Sequence, residues 1–441
     1  MRFEPLYCLV LSTALAGAAR AAPGAADPLP RTSAQSVGMS AERLRHMNEF
    51  FKIETERHEA AGYVVMVARD GKLVDASAIG YRNLERHLPM TLDTRFRIAS
   101  MSKPITTVAV LMLYEQGYFQ LDDPVSRFLP EFADSRVFAG VDAAGKMLTE
   151  SAKRPITIRE LLTQTSGLGY LPGFDTKTPL ANVYGAMHPD PHATLAQTVR
   201  RIASLPLYFQ PGHGWRYSYA DDVLGRLVEV VSGMPFGRFL QERIFQPLKM
   251  DSTGFSLTAG DAPLLATMYK PDTEGDLEVS HSPWLNDPTD TQVWPSGGGG
   301  LISTAGDYLR FAQMLANGGS LDGRQILSPV TVSLMTHNQV PPDAMLDYWG
   351  PDSLGLGYGL GVGVEIDAAH APQADMDGDY AWGGIFDTHW IVSPRTGVVA
   401  VLLTQVDPTG APMPRRTEAN FQNLLFGAVD AMHPPGSAGR R

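Results

Sequence analysis

One serine and one lysine have the spacing of a nucleophile and its base. Ser100 and Lys103 stand three positions apart within residues 96–104, whose sequence is FRIASMSKP. A serine hydroxyl is a weak nucleophile until a base removes its proton. On a helix, residues three positions apart share a face, so the side chain of Lys103 is expected within reach of the Ser100 hydroxyl. The pair therefore predicts acyl transfer through a covalent serine intermediate.

Pro104 indicates where this pair lies on its helix. Proline lacks an N–H and is tolerated only near a helix start, and an apolar helical stretch continues from Ile105 to Glu115. Ser100 is therefore expected close to the helix N-terminus, where its N–H can donate to a developing oxyanion. A Ser-x-x-Lys pattern is weak by itself, but it occurs once here, and no Gly-x-Ser-x-Gly elbow competes with it.

Two later segments carry groups suited to the same reaction. Tyr217 lies within residues 211–219, PGHGWRYSY. A phenol accepts a proton near neutral pH only where a nearby cation favours its ionised form. Trp382, Gly383 and Gly384 precede a β-rich segment, and paired glycines let a backbone approach a substrate closely.

Together, these segments resemble the motifs of the penicillin-recognising serine hydrolases: class C β-lactamases, DD-peptidases and family VIII carboxylesterases. The likeness extends over residues 36–428 and includes residues 161–168, LLTQTSGL, and residues 296–304, SGGGGLIST. The Trp-Gly-Gly segment is most similar to that of the family VIII carboxylesterases.

The resemblance implies a role for each catalytic position. Tyr217 would take the proton of Ser100 and pass it to the leaving group, and Lys103 would be the cation beside it. The N–H groups of Ser100 and Ile385 would form the oxyanion hole.

The resemblance also bears on the substrate. Tyr219 stands where lactamases carry an asparagine that holds the lactam amide, and Trp382 stands where they carry a lysine that binds a substrate carboxylate. With Gly383 and Gly384, these residues would line a pocket for an uncharged ester. The expectation is hydrolysis of short-chain carboxylic esters, with no cofactor and no metal. A β-lactamase or a D-amino-acid peptidase or amidase is the alternative, and a non-enzymatic cell-envelope binder is a third possibility.

The elements around these motifs predict the fold class. Ser40 is expected to cap a helix that ends near His58, and residues 62–68 and 72–79 should form a hairpin. Strands return from Gly357 onward: residues 357–366 alternate as a strand does, and residues 388–392 and 397–404 are β-rich. The expected fold is α+β and resembles β-lactamases and DD-peptidases, with an antiparallel sheet flanked by helices and an inserted, mostly helical lobe.

These elements also suggest how the chain is divided. A single domain is expected over residues 39–432, with the helical lobe over about 120–290. Residues 22–38, rich in Ala, Pro and Ser, are expected to be a linker, and residues 433–441 a flexible tail.

The composition limits the kinds of binding partner that are expected. The chain has 441 residues, of which 44 % are hydrophobic and 19 % charged, and its net charge is −11. A chain of this length and apolar content can bury a sizeable core. Its acidic balance, without a long Lys/Arg run, argues against a nucleic-acid or anionic-membrane partner. The expected partner is a small-molecule ester or lactam.

Residues 1–21 have the pattern of a signal peptide. An apolar run over residues 6–19 ends in a small-x-small pattern, which predicts cleavage near Ala21 and export to the periplasm or the medium. The run is shorter than the roughly 20 residues that a bilayer requires, so no stable membrane anchor is expected. The only cysteine, Cys8, lies within this run.

Other candidate residues fit structural roles better. Asp375, Asp377 and Asp379 alternate like the start of a calcium loop, but the required glycine and glutamate are absent, so a solvated acidic loop is expected. His213 and His389 lie near the motifs and are expected to be structural.

Overall fold

The structure is a computed structural model that describes residues 27–170, 178–187, 190–282, 285–340, 355–408 and 416–432. The predicted signal peptide (1–21) and tail (433–441) lie outside the described residues. The strands are β1 (Gly62–Arg69), β2 (Lys72–Asn83), β3 (Leu88–Pro89), β4 (Phe96–Arg97), β5 (Arg136–Val141), β6 (Met147–Ser151), β7 (Tyr269–Pro271), β8 (Leu277–Val279), β9 (Ile302–Ser303), β10 (Ser320–Leu321), β11 (Arg324–Gln325), β12 (Leu356–Tyr358), β13 (Gly363–Glu365), β14 (Tyr380–Gly384), β15 (Thr388–Ser393) and β16 (Val398–Leu403). The helices are α1 (Ala41–Glu56), α2 (Ser102–Glu115), α3 (Ile158–Leu162), α4 (Pro179–Gly185), α5 (Leu195–Ala203), α6 (Ala220–Ser232), α7 (Phe236–Leu240), α8 (Gln246–Leu248), α9 (Ala305–Ala316), α10 (Pro329–Met335) and α11 (Thr417–Gly427).

An eight-stranded antiparallel sheet forms the centre of the molecule, in the order β12-β13-β14-β15-β16-β1-β2-β3. The first hairpin, β1–β2, meets the C-terminal strands through β16, and Val64 lies opposite Leu403 in that register. The two ends of the chain therefore complete one sheet, and the predicted α+β architecture is confirmed.

Helices cover both faces of this sheet. On one face, α1 and α11 bury Phe51 and Phe421 against Tyr63 and Val65 of β1. On the other face, α2, α9 and the helical lobe pack on Val64 and its neighbours. Because both faces are covered, every residue of β1 is buried, which explains its nearly continuous apolar sequence.

Local signals place the first helix and hairpin where the sequence predicts them. The Ser40 hydroxyl accepts a hydrogen bond from the N–H of Arg43 at 3.3 Å and caps α1. Asp70 and Gly71 both adopt positive φ angles, which closes the tight β1–β2 turn.

Three regions differ from the expectation. The lobe over residues 120–290 contains the hairpins β5–β6 and β7–β8 as well as helices. The alternating run 357–366 forms two short strands, because Gly361 turns the chain with a φ of 69°. Residues 27–38, placed in the linker from sequence, pack on the sheet: Leu29 is buried, and Thr32 donates its N–H to the Leu73 carbonyl at 2.9 Å.

Candidate active site

Ser100 lies in a tight 3-10 turn, Ala99–Met101, that leads directly into α2. Ala99 has a φ of 44°, in the left-handed region that residues other than glycine seldom occupy. The Ser102 hydroxyl stabilises the turn by donating to the Ala99 carbonyl at 2.7 Å. The serine is at the start of the helix, as Pro104 predicted. The hydrogen bond between Ser102 and Ala99 stabilises the strained turn.

Lys103 reaches back from the first turn of α2 to the serine. Its Nζ lies 3.2 Å from Ser100 Oγ and donates to the Gly298 carbonyl at 2.6 Å. The side chain is 0 % exposed. A buried amine that touches the hydroxyl can exchange a proton with it without competition from bulk water.

Tyr217 lies over Lys103, and Trp382 packs on Tyr217. Lys103 Nζ lies 4.4 Å from the centre of the Tyr217 ring, which is close enough for a cation–π contact. The indole N–H of Trp382 donates to the Tyr217 hydroxyl at 3.4 Å, and their ring centres are 5.8 Å apart. The structure thus brings the serine, the lysine, the tyrosine and the tryptophan from three distant segments into one buried cluster.

Further aromatic side chains extend the cluster. Tyr170 lies 5.2 Å from Lys103 Nζ and packs on Tyr217, with ring centres 5.3 Å apart. Tyr219 packs on the other side of Tyr170 at 4.8 Å and is 3 % exposed. Within the described residues, the Tyr219 hydroxyl has no hydrogen-bond partner. Tyr219 therefore contacts the site through Tyr170.

Asp222 fixes the carbonyl that holds Lys103. Its Oδ1 accepts from the Ser296 hydroxyl at 2.6 Å and from the N–H of Gly298 at 3.2 Å. Burial raises the pKa of Asp222, while its hydrogen bonds and the Lys103 ammonium oppose that rise. The carboxyl thereby holds the glycine-rich segment against the lysine.

Asp221 provides a second buried carboxyl on the same helix. Its Oδ2 accepts from the Gln164 side-chain amide at 2.8 Å, and Gln164 Oε1 accepts from the Ser218 hydroxyl at 2.7 Å. Burial raises the pKa of Asp221 to about 7, against the attraction of Lys103. This chain of hydrogen bonds ties the segment around Tyr217 to the loop after α3.

Strand β14 presses closely on the Ser100 turn. The Thr388 hydroxyl donates to the Ile98 carbonyl at 3.3 Å. A Cβ on Gly384 would lie 2.5 Å from that same carbonyl oxygen and 3.3 Å from the Ala99 Cβ. Ile385 follows β14 directly, and within the described residues its N–H donates to no main-chain carbonyl. The predicted oxyanion donors thus lie on two segments in contact with each other.

Gly383 faces a different neighbour. It pairs with His389 across the ladder, and a Cβ there would approach His389 Nδ1 to 3.0 Å. His389 is buried and its Nε2 lies 2.9 Å from Asp387 Oδ1. His213 lies in a turn with Nδ1 3.1 Å from the Pro211 carbonyl oxygen.

The acidic loop at 375–379 is only partly solvated: Asp377 is exposed as expected, Asp375 is half-buried, and Asp379 is buried. Asp379 is 2 % exposed and accepts from the N–H of Met376 at 3.1 Å. Burial raises the pKa of Asp379 to about 7 and that of Asp375 to about 6. The loop folds back on β13, and Glu365 donates its N–H to the Asp379 carbonyl at 2.8 Å.

Two negative findings apply to the described part of the chain. No group of three or more His, Cys, Asp or Glu side chains there is arranged to hold a metal ion. Among the same residues, no helix has the length and apolar character needed to cross a membrane.

Comparison with known proteins identifies the family. The Beta-lactamase family model matches residues 47–424. The chain belongs to the beta-lactamase family. It is a serine hydrolase of that family with the α+β fold of β-lactamases and penicillin-binding proteins, as the motifs predicted.

Individual relatives agree with this assignment. Protein Rv1367c of Mycobacterium tuberculosis is 36 % identical over 359 residues, covering 79 % of this chain and 86 % of that protein. Esterase EstB of Burkholderia gladioli is 31 % identical over 393 residues, covering 85 % and 93 % respectively. The solved structure of EstCE1, a hydrolase with promiscuous acyltransferase activity, is 32 % identical with a TM-score of 0.73, covering 87 % of this chain and 98 % of that one.

Sequence reasoning missed three parts of this cluster. Tyr170 and the Gly298 carbonyl carry no chemical signal of their own. Asp221 and Asp222 do carry one, because two consecutive carboxylates precede the apolar positions of α6 and both are 1 % exposed. Charges on the core face of a helix are rarely buried without a partner. Here Asp221 accepts from the Gln164 amide, Asp222 accepts from the Ser296 hydroxyl and the Gly298 N–H, and the charge of Lys103 acts on both carboxyls.

Proposed function

We propose that this protein hydrolyses short-chain carboxylic esters through an acyl-enzyme on Ser100. The observation that carries the proposal is the contact of the buried Lys103 with Ser100, 3.2 Å from Nζ to Oγ, with the Tyr217 ring over Lys103 and Trp382 packed on Tyr217. This arrangement supplies a nucleophile, a proton acceptor and an apolar cover in one place.

In the first step, Ser100 Oγ attacks the ester carbonyl carbon while its proton passes to the Lys103–Tyr217 pair. The carbonyl oxygen becomes an oxyanion, which the N–H groups of Ser100 and Ile385 stabilise. The bond from carbon to the alcohol oxygen then breaks, and the pair returns the proton to that oxygen. The alcohol leaves, and the acyl group remains on Ser100.

In the second step, water attacks the acyl carbon and the same pair takes its proton. The bond from carbon to Ser100 Oγ breaks, the proton returns to Oγ, and a carboxylic acid is released. The indole N–H of Trp382 donates to the Tyr217 hydroxyl at 3.4 Å and so orients the phenol during these proton transfers. Replacing water by a second alcohol in this step would give acyl transfer, the side activity named for EstCE1.

The lining of the site favours an uncharged substrate. Trp382 stands where the lactamase pattern has a lysine. Aromatic rings surround it: Tyr170 and Tyr217 lie beside Lys103 Nζ, and Tyr358 packs on Trp382. An aromatic wall contacts acyl and alkyl groups well but offers no charge for a carboxylate. The esterase name of the relative EstB supports the same substrate class.

The test compares ester and lactam turnover by the purified protein. We expect hydrolysis of p-nitrophenyl butyrate, little hydrolysis of a chromogenic cephalosporin, and a loss of at least about 10⁴-fold in kcat for Ser100→Ala. Ser333→Ala, at an exposed serine on α10, is the matched control and should keep wild-type kinetics. Faster cephalosporin turnover would support the lactamase alternative, and an active Ser100→Ala protein would exclude the mechanism.

We also propose that the chain is exported after cleavage near Ala21. The apolar run over residues 6–19 and its small-x-small end support this. N-terminal sequencing of the mature protein from an expressing bacterium tests it, and a mature protein that begins at Met1 contradicts it.

A further inference from the structure

One cavity shares no residue with the cluster around Ser100. Its volume is about 300 Å³, and it is lined by residues of β2, β3 and β4, by residues between 262 and 268, and by Val279, Ser280 and Leu285. Three arginines, Arg82, Arg86 and Arg97, line this cavity, and among the residues that the structure describes no aspartate or glutamate does. The net charge of the whole chain is −11, so this group of three positive charges contrasts with the rest of the molecule.

The guanidinium groups are held by main-chain oxygens. Arg82 donates to the carbonyls of Pro263 and Pro89, at 3.3 and 2.7 Å, and Arg97 donates to the Asn286 carbonyl at 2.6 Å. Each guanidinium has five N–H donors in a fixed plane. Carbonyl contacts position the two groups and leave further donors for a ligand.

The carboxylates near the cavity are engaged by other groups or lie in solvent, and Asp407 accepts from the Ser280 hydroxyl of the lining. Glu85, beside Arg86 in sequence, accepts from the Tyr269 hydroxyl at 2.6 Å. Asp261 pairs with Arg95 at 3.1 Å. Asp287 is the acid whose charge acts on Arg97, and it lies in solvent.

Burial of the Arg97 guanidinium without a paired anion is unfavourable in free energy. Desolvation lowers the pKa of Arg97, and the charge of Asp287 only partly opposes this effect. A buried cation is stabilised by an anion at hydrogen-bond distance. The neutral polar groups of the lining already have partners, since Asn83 donates to Thr267 at 2.8 Å and Ser280 to Asp407 at 2.5 Å.

We propose that this cavity binds a small anionic molecule through a carboxylate or phosphate group held by Arg82, Arg86 and Arg97. The planar guanidinium fork matches both oxyanions. The rest of the lining is largely apolar, with Leu88 and Leu285 among its members. The organic body of a carboxylate would contact this apolar part, which inorganic phosphate cannot do.

The test measures binding to the full chain by calorimetry at constant ionic strength, with sodium benzoate and inorganic phosphate as separate probes. We expect saturable binding of at least one probe. Benzoate alone would identify a carboxylate site, phosphate alone a phosphate site, and both a general oxyanion site. No saturable binding of either probe overturns the proposal.

Matched variants locate the site. Arg86 is exposed, its main-chain N–H donates to Asn83 Oδ1, and its side chain makes no hydrogen bond within the described parts of the chain. Arg86→Gln should therefore fold normally and weaken binding about tenfold or more. Arg324→Gln, at an exposed arginine on β11, removes the same charge outside the cavity and should leave affinity unchanged. Ester hydrolysis should be the same in both variants. Equal affinity in the wild type and Arg86→Gln, or equal weakening in both variants, contradicts the proposal.

Discussion

Gly384→Ala tests whether β14 and the Ser100 turn jointly position the oxyanion donors. The added Cβ would lie 2.5 Å from the Ile98 carbonyl oxygen and would also meet the Thr388 hydroxyl oxygen. Thr388 can rotate its side chain, but the Ile98 carbonyl belongs to the main chain. The clash is therefore relieved only if the two segments move apart.

The size of the effect follows from this distance. Ordinary contacts of a Cβ begin at 3.4 Å, so the segments must separate by up to about 0.9 Å. The N–H of Ile385 moves with β14, away from the N–H of Ser100. Misplacing one oxyanion donor typically costs about 10²–10³-fold in kcat, and overpacking of this kind costs about 1–3 kcal/mol of stability.

The assay is kcat and KM for p-nitrophenyl butyrate, with urea unfolding to measure stability. Gly427→Ala is the matched control, because an added Cβ at this end of α11 meets none of the other described residues within 4 Å beyond its own helix backbone and chain neighbours. It should keep wild-type kinetics and gain up to about 1 kcal/mol of stability. A Gly384→Ala protein with unchanged kcat and unchanged stability would refute the close approach of β14 to the serine.

Three further substitutions address the buried groups. Tyr217→Phe keeps the ring over Lys103 but removes the phenol, so we expect kcat for the ester to fall about 10²–10⁴-fold with little change in KM; wild-type kcat would exclude a role in proton transfer. Asp222→Asn removes the charge that accepts the Gly298 N–H hydrogen bond, so steady-state kinetics should give about a 10–100-fold lower kcat. The circular dichroism spectrum should be unchanged, and an unchanged kcat contradicts this positioning role. Asp221 has a pKa raised by burial to about 7 in the folded chain, against about 3.9 when unfolded, so it binds a proton more tightly when folded. The free energy of unfolding should therefore fall as pH rises from about 4 to about 7, with Asp221 contributing at most about 4 kcal/mol, and Asp221→Asn should reduce this slope in urea titrations; equal slopes in both proteins would show that Asp221 is not the group responsible.

The sequence correctly predicts those helices and strands whose ends carry a local signal. The Ser40 cap predicts α1, and the Asp70-Gly71 turn predicts the β1–β2 hairpin. The β5–β6 hairpin is not predicted, because residues 136–141, RVFAGV, form an apolar run with a glycine rather than an alternation of apolar and polar residues. The alternation of residues 357–366 predicts one strand, because the spacing of apolar residues does not reveal that Gly361 reverses the chain.

The site likewise contains residues that the sequence can place and residues that it cannot. Ser100 and Lys103 are three residues apart on one helix, so their contact follows from helix geometry. Tyr217 and Trp382 come from distant segments, and only the family resemblance placed them with the serine. The role of Asp222 depends on the path of the glycine-rich segment at 296–300, which no local pattern determines.

The covalent intermediate on Ser100 is the central claim, and rapid-quench mass spectrometry tests it most directly. The protein is mixed with p-nitrophenyl butyrate, quenched in acid within the first turnovers, weighed intact and then mapped by peptides. We expect the added mass of one butyryl group, located on the peptide that contains Ser100, and no such addition in Ser100→Ala. A butyryl group on another residue, or full ester turnover by Ser100→Ala, would contradict the account.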